Sequence, residues 1–143
     1  MLIFLDTELL WLLVHPRGGP KSIELLALLE ARLAGGDELA IAEVCDYEAR
    51  RELLRKGANR QLSNLDSLIA TSRFVPLNTI AMRRAAELWA QLRQHGQPTA
   101  SDPALDGDVI LGAQALQHEE HLVASENLRH LERVCNAVHW RAL

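Results

Sequence analysis

The feature that most constrains this chain is a rhythm: short, wholly apolar runs recur between longer segments that place apolar residues at helical spacing. Met1-Leu2-Ile3-Phe4-Leu5 is apolar at every position and stops at Asp6. A strand with one wet face alternates apolar and polar residues, so an unbroken run reads as a strand covered on both faces. Strands of that kind belong to parallel sheets, whose neighbours are joined by long crossovers that are usually helical.

The rest of the chain keeps the rhythm. Thr7 is expected to cap a short helix over Glu8–Leu13, and the breakers from His15 to Pro20 form a loop. Ser22–Leu33 repeats Ile23, Leu26, Leu29 and Leu33 on one helical stripe, closed by Gly35-Gly36. Leu39-Ala40-Ile41 is the second predicted strand. A helix from about Glu43 to Lys56 follows, with Val44, Tyr47 and Leu54 inward and Gly57 at its end. Asn59 opens a helix to about Ser72 with Leu62, Leu65 and Ile69 on one face, and Arg73–Leu77 supplies a third strand. Asn78 caps a long amphipathic helix to about His95. A polar loop over Gly96–Pro103 leads to Leu105–Leu116, where Asp106 and Asp108 open a helical pattern with Val109, Ala113 and Leu116 on one face. His121–Ala124 reads as a fourth strand and Ala137–Trp140 as a last edge strand. The expected architecture is one domain over residues 1–143, a three-layer α/β/α sandwich with a short, mainly parallel central sheet and right-handed crossovers.

Composition narrows the function. The chain is 48% hydrophobic but only 4% aromatic, which favours helices packed on a sheet over a sandwich of short strands. Cys45 and Cys135 lie far apart, with neither zinc-knuckle nor disulfide-framework spacing, and read as two buried thiols in a reducing compartment. The six histidines lack ligand spacing, and the three tryptophans sit in apolar patterns that suit a core or a dimer contact. With neither a signal-like start nor an apolar run near the roughly 20 residues that span a bilayer, a soluble, cytoplasmic protein without membrane contact is expected. The net charge of −4 draws no polyanion globally, so contact with nucleic acid would be local or bridged by cations. The basic cluster Arg50, Arg51, Arg55, Lys56 and Arg60 reads either as a track for an RNA backbone or as a solvated helix face.

Ligands of parallel α/β sheets bind at the carboxyl ends of the strands. Asp6 follows the first strand, Glu43 and Glu48 lie early in the helix after the second, Asp106 and Asp108 open the helix feeding the fourth, and Ser125 and Asn127 follow the fourth. Locally, Asp106 and Asp108 are explained as a helix cap and a first-turn charge. Jointly, carboxylates sharing one pocket repel one another unless a cation neutralises them. Hard oxygen donors without clustered Cys or His select Mg²⁺ or Mn²⁺. The chemistry that suits such a site is phosphodiester hydrolysis, in which the cations also bridge an acidic pocket to a polyanionic substrate.

Leu2-Ile3-Phe4-Leu5-Asp6-Thr7 resembles the opening strand of PIN-domain ribonucleases, among which the bacterial VapC toxins are the best-known small members. Asp108-Val109-Ile110-Leu111-Gly112-Ala113-Gln114-Ala115 resembles the family's Asp-x-x-Ile-Ala-Ala-x-Ala helix. Ala124-Ser125-Glu126-Asn127-Leu128-Arg129-His130-Leu131 resembles the segment after its fourth strand. Order and spacing agree over almost the whole chain. The resemblance implies a metal-dependent endoribonuclease acting on single-stranded or structured RNA, with Asp6, Glu48 and Asp108 as metal ligands and Ser125 and Asn127 assisting. It also implies a homodimer and, if the chain is a toxin, a small antitoxin seated in the acidic cleft. Glu48 lies about where the family carries its second acidic residue, with Glu43 as the rival ligand; Asp106 and Asn127 are further candidates, and both keep capping roles as alternatives. Ser125 either orients a reacting water or bonds the backbone of its own turn. Two departures stand out: Glu8 occupies a position where small members commonly carry Asn, and Asn127 one where a carboxylate is common. Two other readings remain open at this point. One is a PIN-like scaffold that binds RNA or a protein without cutting. The other is a phosphotransfer domain, against which Asp6-Thr7-Glu8 supplies Glu where an Asp-x-Asp signature requires Asp.

Overall fold

Burial on both faces puts the first apolar run at the centre of the sheet. In the computed structural model, which describes residues 1–15, 17–95 and 102–143, strand β1 (Leu2–Leu5) is buried at all four positions. It is followed by α1 (Thr7–Val14), α2 (Pro20–Ala34), β2 (Glu38–Ala42), α3 (Glu43–Lys56), α4 (Asn59–Thr71), β3 (Arg73–Val75), α5 (Thr79–His95), α6 (Asp102–Ala115), β4 (His121–Ser125) and β5 (Ala137–His139). The strands run in the order β3-β2-β1-β4-β5, and every pairing is parallel.

The connections explain the layers. From β1 the sheet grows outward through α1–α2 to β2 and through α3–α4 to β3, then returns through α5–α6 to β4 on the other side of β1. With right-handed crossovers, that reversal sends α1–α4 to one face and α5–α6 to the other. The packing agrees, because α1 touches α2, α3 and α4, while α5 lies along α6. The expected three-layer sandwich is therefore the observed one, with a sheet that is parallel throughout. Where the winding reverses, β1 and β4 are neighbours whose following segments diverge, and a crevice opens beyond their carboxyl ends. Among the described residues no helix is long and apolar enough to cross a membrane.

Several elements differ from the sequence expectation. Helix α1 is capped by Asp6 rather than Thr7, with the Asp6 carboxylate accepting from the Leu9 amide at 2.9 Å. Helix α2 starts at Pro20, which suits a first helical position because its missing N–H has no partner to lose. Its inward residues are Leu25 and Leu29, whereas Ile23, Leu26 and Leu33 are exposed. Helix α3 is turned similarly: Cys45, Ala49 and Leu53 face inward, and Tyr47 and Leu54 are 59% and 60% exposed. Small side chains at 45 and 49 let α3 approach its neighbours closely, so bulk at 47 and 54 did not decide the face. The predicted end at Gly57 holds, with that residue at φ +65. Helix α6 begins at Asp102, so Asp106 and Asp108 lie beyond its first turn and cap nothing. Most of the predicted Gly96–Pro103 loop lies outside the described residues, and its last two residues belong to α6.

One buried polar side chain ties this half of the sheet together. Gln114 on α6 is fully buried, accepts from the Val44 amide at 3.2 Å and donates to the Val75 carbonyl at 2.6 Å. It thereby joins the start of α3 to the end of β3. Gln114→Met, similar in volume but unable to make either bond, is expected to cost about 2–3 kcal/mol because two buried backbone groups lose their partner. Urea unfolding measures this as a lower midpoint at unchanged slope.

Candidate metal centre

The crevice at the winding reversal holds a pocket of about 240 Å³ whose lining includes Asp6, Glu8, Glu48, Asp108, Ser125 and Asn127. Each arrives from a different place in the chain. Asp6 terminates β1, Glu8 stands in the first turn of α1, Glu48 lies one turn into α3, Asp108 comes from α6, and Ser125 ends β4.

Asp6 is the most firmly fixed. Its Oδ1 accepts from the Leu9 amide, its Oδ2 accepts from the Ser125 hydroxyl, and its own amide donates to the Ala124 carbonyl at 3.2 Å. Ser125 Oγ also accepts from the Asn127 amide at 3.0 Å, so the turn after β4 is built around the hydroxyl that orients Asp6. Burial raises the Asp6 pKa, against the lowering effect of the Ser125 and Leu9 hydrogen bonds.

Glu48 is seated from two sides. Thr7 Oγ1 donates to its Oε1 at 3.1 Å, and on the other side it lies against Gly107 of α6. A Cβ at position 107 would stand 3.0 Å from Oε2 and 3.1 Å from Oε1, so the absence of a side chain there leaves the cradle that the carboxylate fills. Gly107→Ala is therefore expected to displace Glu48 and, where the pocket takes up Mn²⁺ through that carboxylate, to weaken its binding about tenfold or more. The protein should not lose stability in parallel, because Ala in a helix is favoured over Gly by about 1 kcal/mol. Calorimetric titration and thermal melts of one preparation separate the two effects.

Asp108 has no hydrogen-bond donor among the described residues. Its pKa is pushed up to about 7, first by burial and then by the charges of Asp6, Glu48 and Glu8. Cys45 forms part of the pocket wall, is fully buried, and has its thiol pushed well above the usual range by burial and by the same carboxylates.

Among the described residues no three His, Cys, Asp or Glu side chains already stand in chelating positions. The donor chemistry nevertheless fits a hard divalent ion: all the charged donors are carboxylates, one of them rests in a cradle cleared for it, and one has no other partner.

The other candidates are placed differently. Glu43 turns away from the pocket, where its Oε2 accepts from the Leu77 amide at 2.5 Å and steadies the β3–α5 connection. Asp106 is exposed on α6 and does not line the pocket. Asn127 reaches the pocket but uses its Oδ1 to accept from the Arg129 amide at 3.1 Å, an Asx turn rather than the start of an α-helix. In the basic cluster, Arg50 is paired with Asp46 at 2.9 Å and Asp66 at 2.7 Å, and Arg55 with Glu52. Arg51 lies beside the site, 4.0 Å from Glu48 and over the Tyr47 ring. Sequence reasoning missed Thr7 and Gly107 as the residues that seat Glu48. Their only signal was adjacency, Thr7 next to Asp6 and Gly107 between Asp106 and Asp108.

Comparison with known proteins bears on the fold and the family. The sequence profile of the PIN domain matches residues 3–137. Similar solved structures include VapBC2 from Rickettsia felis bound to a DNA fragment from its promoter, at TM-score 0.75 and 17% identity, covering 98% of this chain and 99% of that one. FitAcB from Neisseria gonorrhoeae aligns at TM-score 0.69 and 18% identity over 99% of both chains, and VapBC-1 from nontypeable Haemophilus influenzae at 0.67 and 16% over 98% of both. No curated protein sequence matches the chain. A profile spanning nearly the whole length, on a five-stranded parallel sheet that carries its acidic pocket at the winding reversal, leaves one conclusion: the chain belongs to the PIN domain family.

Proposed function

We propose that this protein is a metal-dependent endoribonuclease that hydrolyses phosphodiester bonds in single-stranded RNA. The observation that carries this reading is the meeting of Asp6, Glu48 and Asp108 in one pocket from three separate elements, with Asp108 lacking any donor or cation among the described residues. Asp6, Glu48 and Asp108 would hold the ion, Mg²⁺ or Mn²⁺. When bound, the ion supplies Lewis acidity for phosphodiester hydrolysis and charge for a polyanionic substrate. The chain's own residues orient the donors: Ser125 and the Leu9 amide fix both oxygens of Asp6, and Thr7 fixes one of Glu48. Arg51, exposed and 4.0 Å from Glu48, would be the member of the basic cluster nearest the pocket to meet a phosphate of the RNA backbone; it would leave that ion pair to do so, as Arg50 and Arg55 would leave theirs.

The partner side of the proposal is that the chain is the toxin of a toxin–antitoxin pair and a homodimer. Its structural neighbours are VapBC complexes. Besides the acidic cleft, where an antitoxin is expected to sit, the exposed apolar side chains Leu26 and Leu33 of α2, with Leu13 and Leu68, line a separate groove of about 650 Å³ that suits the apolar face of an antitoxin helix.

An unstructured, end-labelled RNA incubated with the protein tests the catalytic reading. Cleavage is expected with Mg²⁺ or Mn²⁺ and is expected to stop on chelation with EDTA. A wild-type protein that binds RNA but takes up no Mn²⁺ in calorimetry would instead be a non-catalytic scaffold.

A further inference from the structure

The wall of the pocket formed after β4 carries no available anion. Ser125 is neutral, Asn127 is neutral with its side-chain oxygen committed to the Arg129 amide, and Glu126 turns away to accept from Trp140 Nε1 and pair with Lys21. Glu8, by contrast, lines the pocket, two residues after Asp6 on the first turn of α1. Its carboxylate is exposed and, among the described residues, has neither a side-chain hydrogen bond nor an ion pair that would hold it away from the pocket. Its charge acts on both Asp6 and Asp108, which places it within electrostatic reach of each. An acidic residue in a first turn also favours the helix dipole, but Asp6 already caps α1, and the dipole gives no reason for Glu8 to line this pocket. With Glu8, the carboxylates of Asp6, Glu48 and Asp108 become a set of four negative charges, the number that two divalent cations balance.

Resting on the reading of this pocket as a metal centre, we propose that Glu8 is its fourth metal-binding carboxylate, taking the part that the neutral Asn127 does not fill, and that the site thereby holds two divalent cations.

Titration of the full chain with Mn²⁺, followed by calorimetry and by electron paramagnetic resonance, tests this on wild type, Glu8→Gln and Glu8→Gln with Asn127→Asp. Two equivalents are expected for wild type, one for Glu8→Gln, and two again for the double variant, in which the carboxylate is returned from the other segment. The equivalent that Glu8→Gln retains should weaken by no more than about tenfold. Thermal melts in EDTA check the fold of each variant, and Glu8→Gln should melt no lower than wild type because it relieves repulsion. If Glu8 serves only the dipole, Glu8→Gln lowers the melting temperature and leaves the Mn²⁺ titration unchanged, which overturns the proposal. A double variant that stays at one equivalent overturns the exchange between positions 8 and 127, and a wild type that binds a single Mn²⁺ overturns the second cation. A wild type that binds none removes the metal centre itself; wild-type binding with an unaltered Glu8→Gln removes only the role of Glu8.

Discussion

Asp108→Asn is expected to abolish RNA cleavage, by about 10³-fold or more, and at the same time to make the metal-free protein more stable. The two effects have one cause. Asp108 is largely buried, has no donor among the described residues, and faces the charges of Asp6, Glu48 and Glu8. Without a cation its negative form is held at a cost. The folded chain therefore binds the Asp108 proton more tightly than the unfolded chain, with a pKa of about 7 against the ordinary 3.8. A raised carboxylate of this kind lowers stability as pH climbs from the unfolded pKa through the folded one, and the full cost is reached above about 7. Asn keeps the shape, carries no charge and cannot titrate. The variant should thus match wild type near pH 4 and exceed it above neutrality by about 1–2 kcal/mol once solvent screening is counted, worth a few degrees of melting temperature. Melts in EDTA at acid and alkaline pH measure the gap. Saturating Mn²⁺ should close or reverse it, because only wild type gains binding energy from the ion. If the variant melts lower than wild type above pH 7 without metal, Asp108 is a structural carboxylate and the site has been misassigned.

The legibility of the molecule followed the strength of its local signals. Leu2–Leu5 followed by Asp6 announced both a strand covered on both faces and the first ligand candidate, because unbroken apolar runs mark covered parallel strands and ligands gather at the carboxyl ends of such strands. Asn78, Gly57 and the Leu62, Leu65 and Ile69 face of α4 were similarly direct. The helix faces of α2 and α3 were not. Apolar residues at helical spacing mark a stripe without saying whether the domain core or a partner covers it, and Ile23, Leu26 and Leu33 turned out to be exposed. In α3 the closely packed positions are Cys45 and Ala49, whose small size hides them from any reading that weighs bulk. The start of α6 was misread for a different reason. Two acids at 106 and 108 imitate a helix start, while Asp102-Pro103, with proline inside the first turn, was the better signal. That correction bears on function: beyond the first turn the helix dipole no longer accounts for Asp108. The choice between Glu43 and Glu48 depended on tertiary structure, since only the fold shows Glu43 occupied by the Leu77 amide and Glu48 resting on Gly107.

Asp6 carries two duties on its two oxygens, and a pair of substitutions separates them. Oδ1 caps α1 through the Leu9 amide, whereas Oδ2 is held by Ser125 at the pocket. Asn is as good an N-cap as Asp, so Asp6→Asn should keep the cap while discarding the charge. Cleavage is expected to fall by about 10³-fold or more, as for Asp108, with no loss of stability, because the cap is kept and a buried charge is removed. Asp6→Ala should lose activity to the same extent and in addition cost about 1 kcal/mol, because the Leu9 amide is left without its side-chain acceptor and α1 begins uncapped. The difference between the variants is thus a stability difference with no matching activity difference, read by urea midpoints beside RNA cleavage rates. Should Asp6→Asn retain wild-type cleavage while Asp6→Ala loses it, the carboxylate matters only as a cap and the metal ligands must be sought among the other residues of the pocket. The Ser125 hydroxyl distinguishes the cases further. As a donor to Asp6 it has no carboxylate to orient in Asp6→Asn, so Ser125→Ala should depress cleavage in the wild-type background and have no further effect when added to Asp6→Asn.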